Sequence, residues 1–160
     1  MTLSQLNLLP ATTAEAELQR CCGSRRWARL MIVERPFASA DVLAAEAERI
    51  WWSLSAADWL EAFAAHPRIG ERSESAWATQ EQAGTASATA DLRSRLLRLN
   101  REYEERFGYT FIVCATGRTG EEMHAVLERR LRNAPQDELQ VAAAEQRKIT
   151  ALRLEKLVSQ

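Results

Sequence analysis

The sequence has few of the residues on which most catalytic machinery depends. Histidine occurs 2 times and cysteine 3 times in 160 residues. The cysteines form no CxxC pair, and the chain contains no HExxH, no GxSxG and no glycine-rich phosphate loop. A disulfide framework, a structural zinc site and a metal-dependent enzyme are therefore all unexpected. Any chemistry is expected to be acid–base or electrostatic catalysis that needs neither a metal nor a cofactor.

Long apolar runs and an excess of either charge are absent as well. No run approaches the roughly 20 residues that cross a bilayer, and the stretch MTLSQLNLLP lacks the basic start and apolar centre of a signal peptide. With 21 basic and 22 acidic residues the formal net charge is -1, so no electrostatic footprint for nucleic acid or an anionic membrane exists. We therefore expect no nucleic acid and no membrane as partners, and a cytoplasmic location.

What the chain does contain is the composition of an ordinary folded protein, with 46% hydrophobic and 27% charged residues. Its length fits one domain covering residues 1–160. The three cysteines, Cys21, Cys22 and Cys114, are interpreted as reduced thiols that behave as small buried hydrophobic residues.

Helical periodicity and capping signals dominate the chain, which predicts an all-α fold of about seven to eight helices. A threonine cap and Gly23 are predicted to bound a helix over TTAEAELQRCC, and Ser39 is predicted as the N-cap of the next helix. Ser55 and Asp58 open a third helix, which Pro67 closes, and Gly108 ends the helix that runs from Leu92. Thr119 and Glu122 form a capping box, and Pro135 opens the last helix.

One stretch, YTFIVCAT, breaks the helical rhythm with β-branched and aromatic residues. It predicts a short extended segment near residues 109–115, without an obvious partner strand. Extended backbone can present N–H and C=O groups to a flat heterocycle. The alternative is a core segment followed by a turn, with Arg118 solvated.

His66, directly before Pro67, is the first candidate for catalysis, because an imidazole with a pKa near 6.5 moves protons well at neutral pH. A helix-terminal cation that interacts with the helix dipole is the more frequent role of a lone histidine. His124, in a polar helical turn, is assigned to structure alone.

Two further side chains could carry chemistry. Glu81, in WATQEQAGT, could orient an imidazole or bind substrate N–H groups, whereas a solvated glutamate is the more common case. Arg153 borders an apolar helix face. It is either a buried fork for a carboxylate or imide, or a surface residue whose stem covers the apolar face, and spacing alone favours the surface residue.

Four stretches, taken together and in order, resemble the 2-oxo-4-hydroxy-4-carboxy-5-ureidoimidazoline (OHCU) decarboxylase family. They are CCGSRRWARLMIVERPF, WLEAFAAHPRIGE, EQAG and LNREYEERFGYTFIVCATGRT. The resemblance runs from about Leu8 to Leu157 and is most specific in the HPxIG element, which starts at His66, and in the FGxxFIxCAxGR element, which ends at Arg118.

The resemblance implies an all-helical fold, commonly a homodimer, that needs no metal or organic cofactor. It also implies a small-molecule ureidoimidazoline substrate, converted to (S)-allantoin and carbon dioxide during urate breakdown. The residues that it implicates are His66 and Glu81 as catalytic groups, and Pro67, Gln82, Phe111, Ile112, Val113 and Arg153 as substrate-binding groups. Arg147 lies close enough to compete with Arg153, and Ala78 stands where the family often has a serine.

Two other interpretations remain open. The chain could be a non-catalytic helical interaction module that docks a partner through the tryptophan-rich segment 50–60, because exposed tryptophan is enriched at binding hot spots. It could also be a related hydrolase or isomerase that acts on another ureide.

Overall fold

The structure, a computed structural model, describes residues 1–69 and 89–159. Over these residues the chain forms eight helices and no strand. They are α1 (Leu3–Leu8), α2 (Ala11–Cys21), α3 (Arg25–Val33), α4 (Ala40–Ser53), α5 (Ala56–Ala64), α6 (Ala90–Phe107), α7 (Gly120–Arg130) and α8 (Pro135–Val158). The predicted all-α fold is therefore confirmed. Residues 110–115 form no helix and no paired strand, as expected for the extended segment.

Most of the predicted helix boundaries are confirmed by the capping contacts. The Ser39 side chain accepts the N–H of Val42, and Thr119 Oγ1 accepts the N–H of Glu122 at 3.1 Å. These bonds satisfy amide groups that have no partner in the first turn of a helix. The remaining confirmed boundaries are the Ser55 and Asp58 capping box, the left-handed Gly108 after α6 and Pro135 at the start of α8.

The start of α2 differs from the prediction. Pro10 occupies the N-cap position without a side-chain cap, and the helix begins at Ala11, so both threonines lie inside its first turn. The helices α1 and α3 had no individual prediction. Serine and threonine caps open both of them, with Thr2 accepting from Gln5 and Ser24 accepting from Trp27.

The described chain divides into two compact units. Unit 1 comprises Met1–Ala62 and Gln146–Gln160, and unit 2 comprises Phe63–Glu145. Within unit 1 the fully buried Trp27 donates its indole N–H to the carbonyl of Ala47 at 3.1 Å. That bond satisfies the one polar atom of a large core side chain.

Unit 2 is built on α6 and α7, whose apolar faces pack together. Its core cluster contains Ile69, Leu92, Leu96, Tyr103, Phe111, Ala115, Met123, Val126 and Leu127. On α7 the buried residues Met123, Val126 and Leu127 repeat at helical spacing and form one apolar stripe. None of the helices in the described ranges is long and apolar enough to cross a membrane.

The cysteines carry free thiols, as predicted. Cys21 and Cys22 are buried in unit 1, and Cys114 in unit 2 is half-buried. Burial disfavours the thiolate and raises the pKa of Cys21 to about 12 and that of Cys22 to about 11. Both thiols are therefore protonated and chemically inert at neutral pH.

Candidate active site

His66 lies in a short turn directly after α5, and the core of unit 2 holds that turn on both sides. Its backbone N–H donates to the carbonyl of Phe63 at 3.1 Å. Phe63 is fully buried, and its ring centroid lies 5.2 Å from that of Tyr109. On the other side Ile69 packs in the same core cluster as Phe111. The backbone of the turn is thus fixed, whereas the His66 side chain, like Pro67, is only half-buried.

Three side chains hold the backbone of the extended segment in place of a partner strand. Asn100 Oδ1 accepts the N–H of Phe111 at 3.0 Å. Arg130 Nη1 donates to the carbonyl of Ile112 at 2.6 Å, and Glu145 Oε1 accepts the N–H of Cys114 at 3.3 Å. Because buried peptide groups need hydrogen-bond partners, Asn100, Arg130 and Glu145, from α6, α7 and α8, explain how an unpaired segment lies in a protein core. We refer to these three residues as the clamp.

The Arg130 member of the clamp is itself fixed by a buried ion pair. Its Nη2 lies 2.7 Å from Glu138 Oε2, and the two side chains are 4% and 0% exposed. Glu138 also accepts hydrogen bonds from the Tyr103 hydroxyl and from Asn133 Nδ2. Burial raises the pKa of Tyr103, so its hydroxyl stays a donor. The guanidinium carbon of Arg130 lies 4.5 Å from the Phe111 ring centroid, which adds a cation–π contact.

The clamp leaves peptide groups available in the middle of the segment. Within the described residues, no hydrogen bond uses the N–H or the carbonyl of Val113, a half-buried residue. One donor and one acceptor side by side match the paired N–H and C=O groups of an imide or a ureide. The geometry of Phe111, Ile112 and Val113 therefore suits recognition of a flat heterocycle by backbone.

The remaining predicted residues fall in three places. Arg153, in unit 1, is 9% exposed, and its Nη1 donates to the carbonyl of Arg20 at 3.4 Å. The surface position that spacing favoured for Arg153 is therefore wrong. Arg147 is half-buried and the more exposed of the two, and its Nε lies 3.7 Å from a carboxylate oxygen of Glu48. The predicted residues Glu81 and Gln82, together with Ala78, lie outside the described residues.

His124, which was assigned to structure alone, lies on α7. Its Nδ1 lies 2.9 Å from Glu128 Oε1, one turn along α7. Over the described parts of the chain, no group of three or more histidine, cysteine, aspartate or glutamate side chains could hold a metal ion.

Neither Asn100 nor Arg130 was predicted from the sequence as a functional residue, although a signal for both was present. Asn100 follows Leu96 by four residues and precedes Tyr103 by three, so it occupies a core position of α6. Arg130 follows Leu127 by three residues on α7. A polar side chain at a core position must have a buried partner. The pattern therefore indicates that both residues form buried hydrogen bonds.

The comparisons with known proteins identify the family. The profile of the OHCU decarboxylase family matches residues 7–155. The chain belongs to the OHCU decarboxylase family. This match confirms the resemblance found in the sequence.

The relatives agree with this assignment. The chain is 41% identical over 154 residues to the uric acid degradation bifunctional protein TTL of Arabidopsis thaliana, which covers 91% of this chain and 47% of that protein. The chain thus spans about half the length of that relative. It is 35% identical to the OHCU decarboxylase of Amia calva, over 78% of this chain and 75% of that protein. It is 32% identical to that of Haloferax volcanii, over 75% of this chain and 73% of that protein.

A solved structure supports the fold of this family member. The crystal structure of an OHCU decarboxylase in the presence of (S)-allantoin matches with a TM-score of 0.83 and 39% identity, over 90% of this chain and 98% of that chain.

These findings support the decarboxylase and not the interaction module. The tryptophans agree, because Trp51 and Trp59 are buried and their ring centroids lie 5.9 Å apart. Only Trp52 of the three is substantially exposed, at 40%.

Proposed function

We propose that this chain decarboxylates 2-oxo-4-hydroxy-4-carboxy-5-ureidoimidazoline to (S)-allantoin and carbon dioxide, a step of uric acid degradation. The family match over residues 7–155 carries this proposal. The solved relative in the presence of (S)-allantoin supports it, because it covers 90% of this chain. The clamped extended segment adds a physical reason, since the N–H and carbonyl of Val113, which form no hydrogen bond within the described residues, complement a ureide ring.

The reaction itself defines what the site must do. Breaking the bond to the carboxylate leaves an electron pair on the ring carbon, and neighbouring C=N and carbonyl groups of the ring accept it. An enzyme accelerates this step by holding the ring and stabilising the developing charge. The carbon that lost carbon dioxide becomes a ring carbonyl as its hydroxyl gives up a proton. Delivery of a proton to one face of the neighbouring ring carbon, which carries the ureido group, then sets the S configuration.

His66 is the proposed acid–base group, and Glu81 is the proposed residue that orients it. The imidazole contacts the hydroxyl or carboxylate side of the carbon that loses carbon dioxide and assists its departure. The fixed backbone of the turn supports this role, because a catalytic side chain needs a rigid base. Its side chain is half-buried.

The proposed binding groups are the peptide groups of Phe111–Val113, with Pro67 and Gln82, and the guanidinium of Arg153 for a carboxylate or imide oxygen. Burial supports Arg153 over Arg147, because a guanidinium shielded from water forms stronger charge-assisted hydrogen bonds than an exposed one.

The test of the function uses substrate generated freshly from urate by the preceding enzymes. Allantoin formation is followed by circular dichroism with and without this protein. We expect faster appearance of the S enantiomer alone. A rate and an enantiomer ratio unchanged by the protein contradict the proposed reaction.

The test of His66 uses the His66→Asn variant in the same assay. General acid–base assistance is worth about 10²–10⁴-fold, so we expect a loss of kcat on that scale with an unchanged far-ultraviolet circular dichroism spectrum. His124→Asn is the matched control, because His124 pairs with Glu128 on α7. Full activity of His66→Asn contradicts the assigned role.

The assembly state and location are also proposed from the family. We expect a homodimer, which light scattering after gel filtration tests as a mass of twice 18.1 kDa. A cytoplasmic location is proposed as well. Fractionation of cells that produce the protein tests it.

A further inference from the structure

Asn100 uses both ends of its side-chain amide inside the core of unit 2. It is 0% exposed and lies in the middle of α6. Its Oδ1 accepts the N–H of Phe111 at 3.0 Å and the hydroxyl of Thr110 at 3.3 Å. Its Nδ2 donates to Glu104 Oε1 at 3.0 Å. A peptide N–H only donates and a carboxylate only accepts, so the orientation of the amide is determined by its partners.

Glu104 extends this contact to the turn that carries His66. The same Oε1 that accepts from Asn100 accepts from Arg68 Nε at 2.7 Å. The bond from Arg68 holds the pKa of Glu104 below its usual value, so this carboxylate is ionised at neutral pH. Arg68 follows His66 by two residues, and the rigid ring of Pro67 lies between them.

These bonds make a continuous path, Phe111 to Asn100 to Glu104 to Arg68, which we call the amide path. It joins the backbone of the extended segment to the His66 turn. Its inner end is fully buried, and its outer end is open, with the Arg68 and Glu104 side chains 51% and 24% exposed. Within unit 2 the path complements the apolar contact between Ile69 and the Phe111 cluster.

We propose that Asn100 is a positioning residue for the decarboxylation, which holds the substrate-binding peptide groups at a fixed distance from the His66 turn through Glu104 and Arg68. The inference rests on the proposed function, because it takes the segment as the binding element and His66 as the catalytic group. A misplacement of about 1 Å in such a site costs on the order of 10²-fold in rate. The competing explanation is that Asn100 only satisfies a buried N–H and affects stability alone.

The first variant is Asn100→Asp, which keeps the size of the side chain and an acceptor for Phe111. It removes the donor to Glu104 and places a second carboxylate beside the first, so the amide path breaks at that bond. We expect kcat/KM to fall by about 10-fold to 10²-fold. The assay runs at a temperature at which circular dichroism shows the variant to be fully folded.

The chain provides a matched control in Asn7. This half-buried asparagine of unit 1 pairs with the backbone of Phe37, accepting its N–H at 2.8 Å and donating to its carbonyl at 2.9 Å. Asn7→Asp makes the same chemical change at a backbone-binding amide outside the amide path. We expect its kcat/KM to stay within about 2-fold of wild type. Asn100→Asp with a kcat/KM as high as that of Asn7→Asp overturns the inference.

Variants of Arg68 test the path from its exposed end, where folding is not at risk. Arg68→Gln removes the charge that holds Glu104, and Arg68→Lys keeps it. We expect Arg68→Gln to lower kcat/KM and Arg68→Lys to recover part of the loss. In a double-mutant cycle, Arg68→Gln has little further effect on the Asn100→Asp background, because one path is already broken. Fully additive effects on kcat/KM overturn the inference.

Nuclear magnetic resonance of the two imidazole rings separates this inference from the proposed function. We expect the ring signals of His66 to shift in Asn100→Asp while those of His124 stay in place, and Asn7→Asp to shift neither. If the wild-type protein does not accelerate decarboxylation but this pattern holds, the proposed function fails, whereas the structural coupling of Asn100 to the His66 turn stands. An unshifted His66 ring in Asn100→Asp overturns the positioning role whatever the activity.

Discussion

At the scale of single residues, the buried pair of Arg130 and Glu138 makes a sharp prediction. Its side chains are 4% and 0% exposed, and removing one partner leaves the other charge buried and unpaired. Such a loss costs about 3–5 kcal/mol. We therefore expect Arg130→Met to lower the free energy of unfolding by about that amount in urea titrations.

The double variant Arg130→Met with Glu138→Gln is the control for this prediction. It removes both charges and leaves an amide oxygen for Tyr103. We expect it to be more stable than Arg130→Met alone, since no unpaired charge remains in the core. The single variant Glu138→Gln completes the comparison. If the double variant loses as much free energy of unfolding as the two single variants together, pairing of the two charges does not explain the effect.

The choice between Arg153 and Arg147 is a second prediction at this scale. Arg147 lies 3.7 Å from Glu48, with side chains 32% and 53% exposed, and exposed pairs are worth about 0–1 kcal/mol. We expect Arg147→Gln to keep wild-type stability and kcat/KM. Loss of a charged hydrogen bond to substrate costs about 1.5–3 kcal/mol, so Arg153→Gln lowers kcat/KM about 10-fold to 10²-fold in the allantoin assay. The reverse result assigns the binding role to Arg147.

The individual residues show what a single sequence can and cannot provide. Motif resemblance implicated His66 and Arg153, whereas helix spacing placed Arg153 on the surface, where the structure does not have it. The spacing of residues along a helix shows which of them share a face, but not which other elements pack against that face. The positions of Asn100 and Arg130 in apolar stripes indicate burial, yet their partners on the extended segment follow only from the tertiary structure.

At the scale of elements, Gly108 makes a prediction about how α6 ends. Its φ is +85°, and a Cβ added there would meet no atom within 4 Å. The cost of a side chain is therefore backbone strain alone, about 1–2 kcal/mol for an L-residue in this conformation. We expect Gly108→Ala to lower the free energy of unfolding by about 1–2 kcal/mol. Gly108→Asn is the control and loses less, because asparagine tolerates the left-handed region.

Helix ends were predictable because their chemistry is local. Serine or threonine caps, the stop at Gly108 and the opening Pro135 are each decided by a few neighbouring residues. The extended segment was predictable as a break in periodicity, but its support was not. Its hydrogen-bond partners come from α6, α7 and α8, which are distant in sequence, so no local pattern encodes them.

At the scale of the whole molecule, two carboxylates among the described residues, one in each unit, contribute to acid stability. The backbone N–H and side chain of Arg25 hold the pKa of Glu61 below its usual value, and Arg68 does the same for Glu104. A lowered pKa in the folded state means that the unfolded state binds protons first as the pH falls. The stabilisation is therefore complete above the unfolded pKa of about 4.3 and is lost as the pH falls through the folded pKa.

We expect the melting temperature to fall as the pH is lowered below about 4.3. Glu104→Gln and Glu61→Gln abolish the titration at one site each, so the acid-induced fall is shallower in either variant. Differential scanning calorimetry across the acid range measures it. If the melting temperature of Glu104→Gln falls with pH as steeply as that of the wild type, Glu104 does not contribute to the acid dependence of stability.

The last prediction concerns whether the two units unfold together, as the expected single domain requires. Cys21 and Cys22 in unit 1 are buried, with pKa values raised to about 12 and about 11. A thiol reagent at neutral pH therefore labels them only when unit 1 opens. Hydrogen exchange of the α6 and α7 amides reports the opening of unit 2. With increasing urea we expect thiol labelling and amide exchange to give the same midpoint and the same dependence on urea, because a single cooperative domain opens both units in one event.

Labelling of Cys21 and Cys22 at a lower urea concentration than exchange in α6 would instead make unit 1 an independent folding unit. The chain would then divide at the two positions where it passes between the units, after Ala62 and after Glu145.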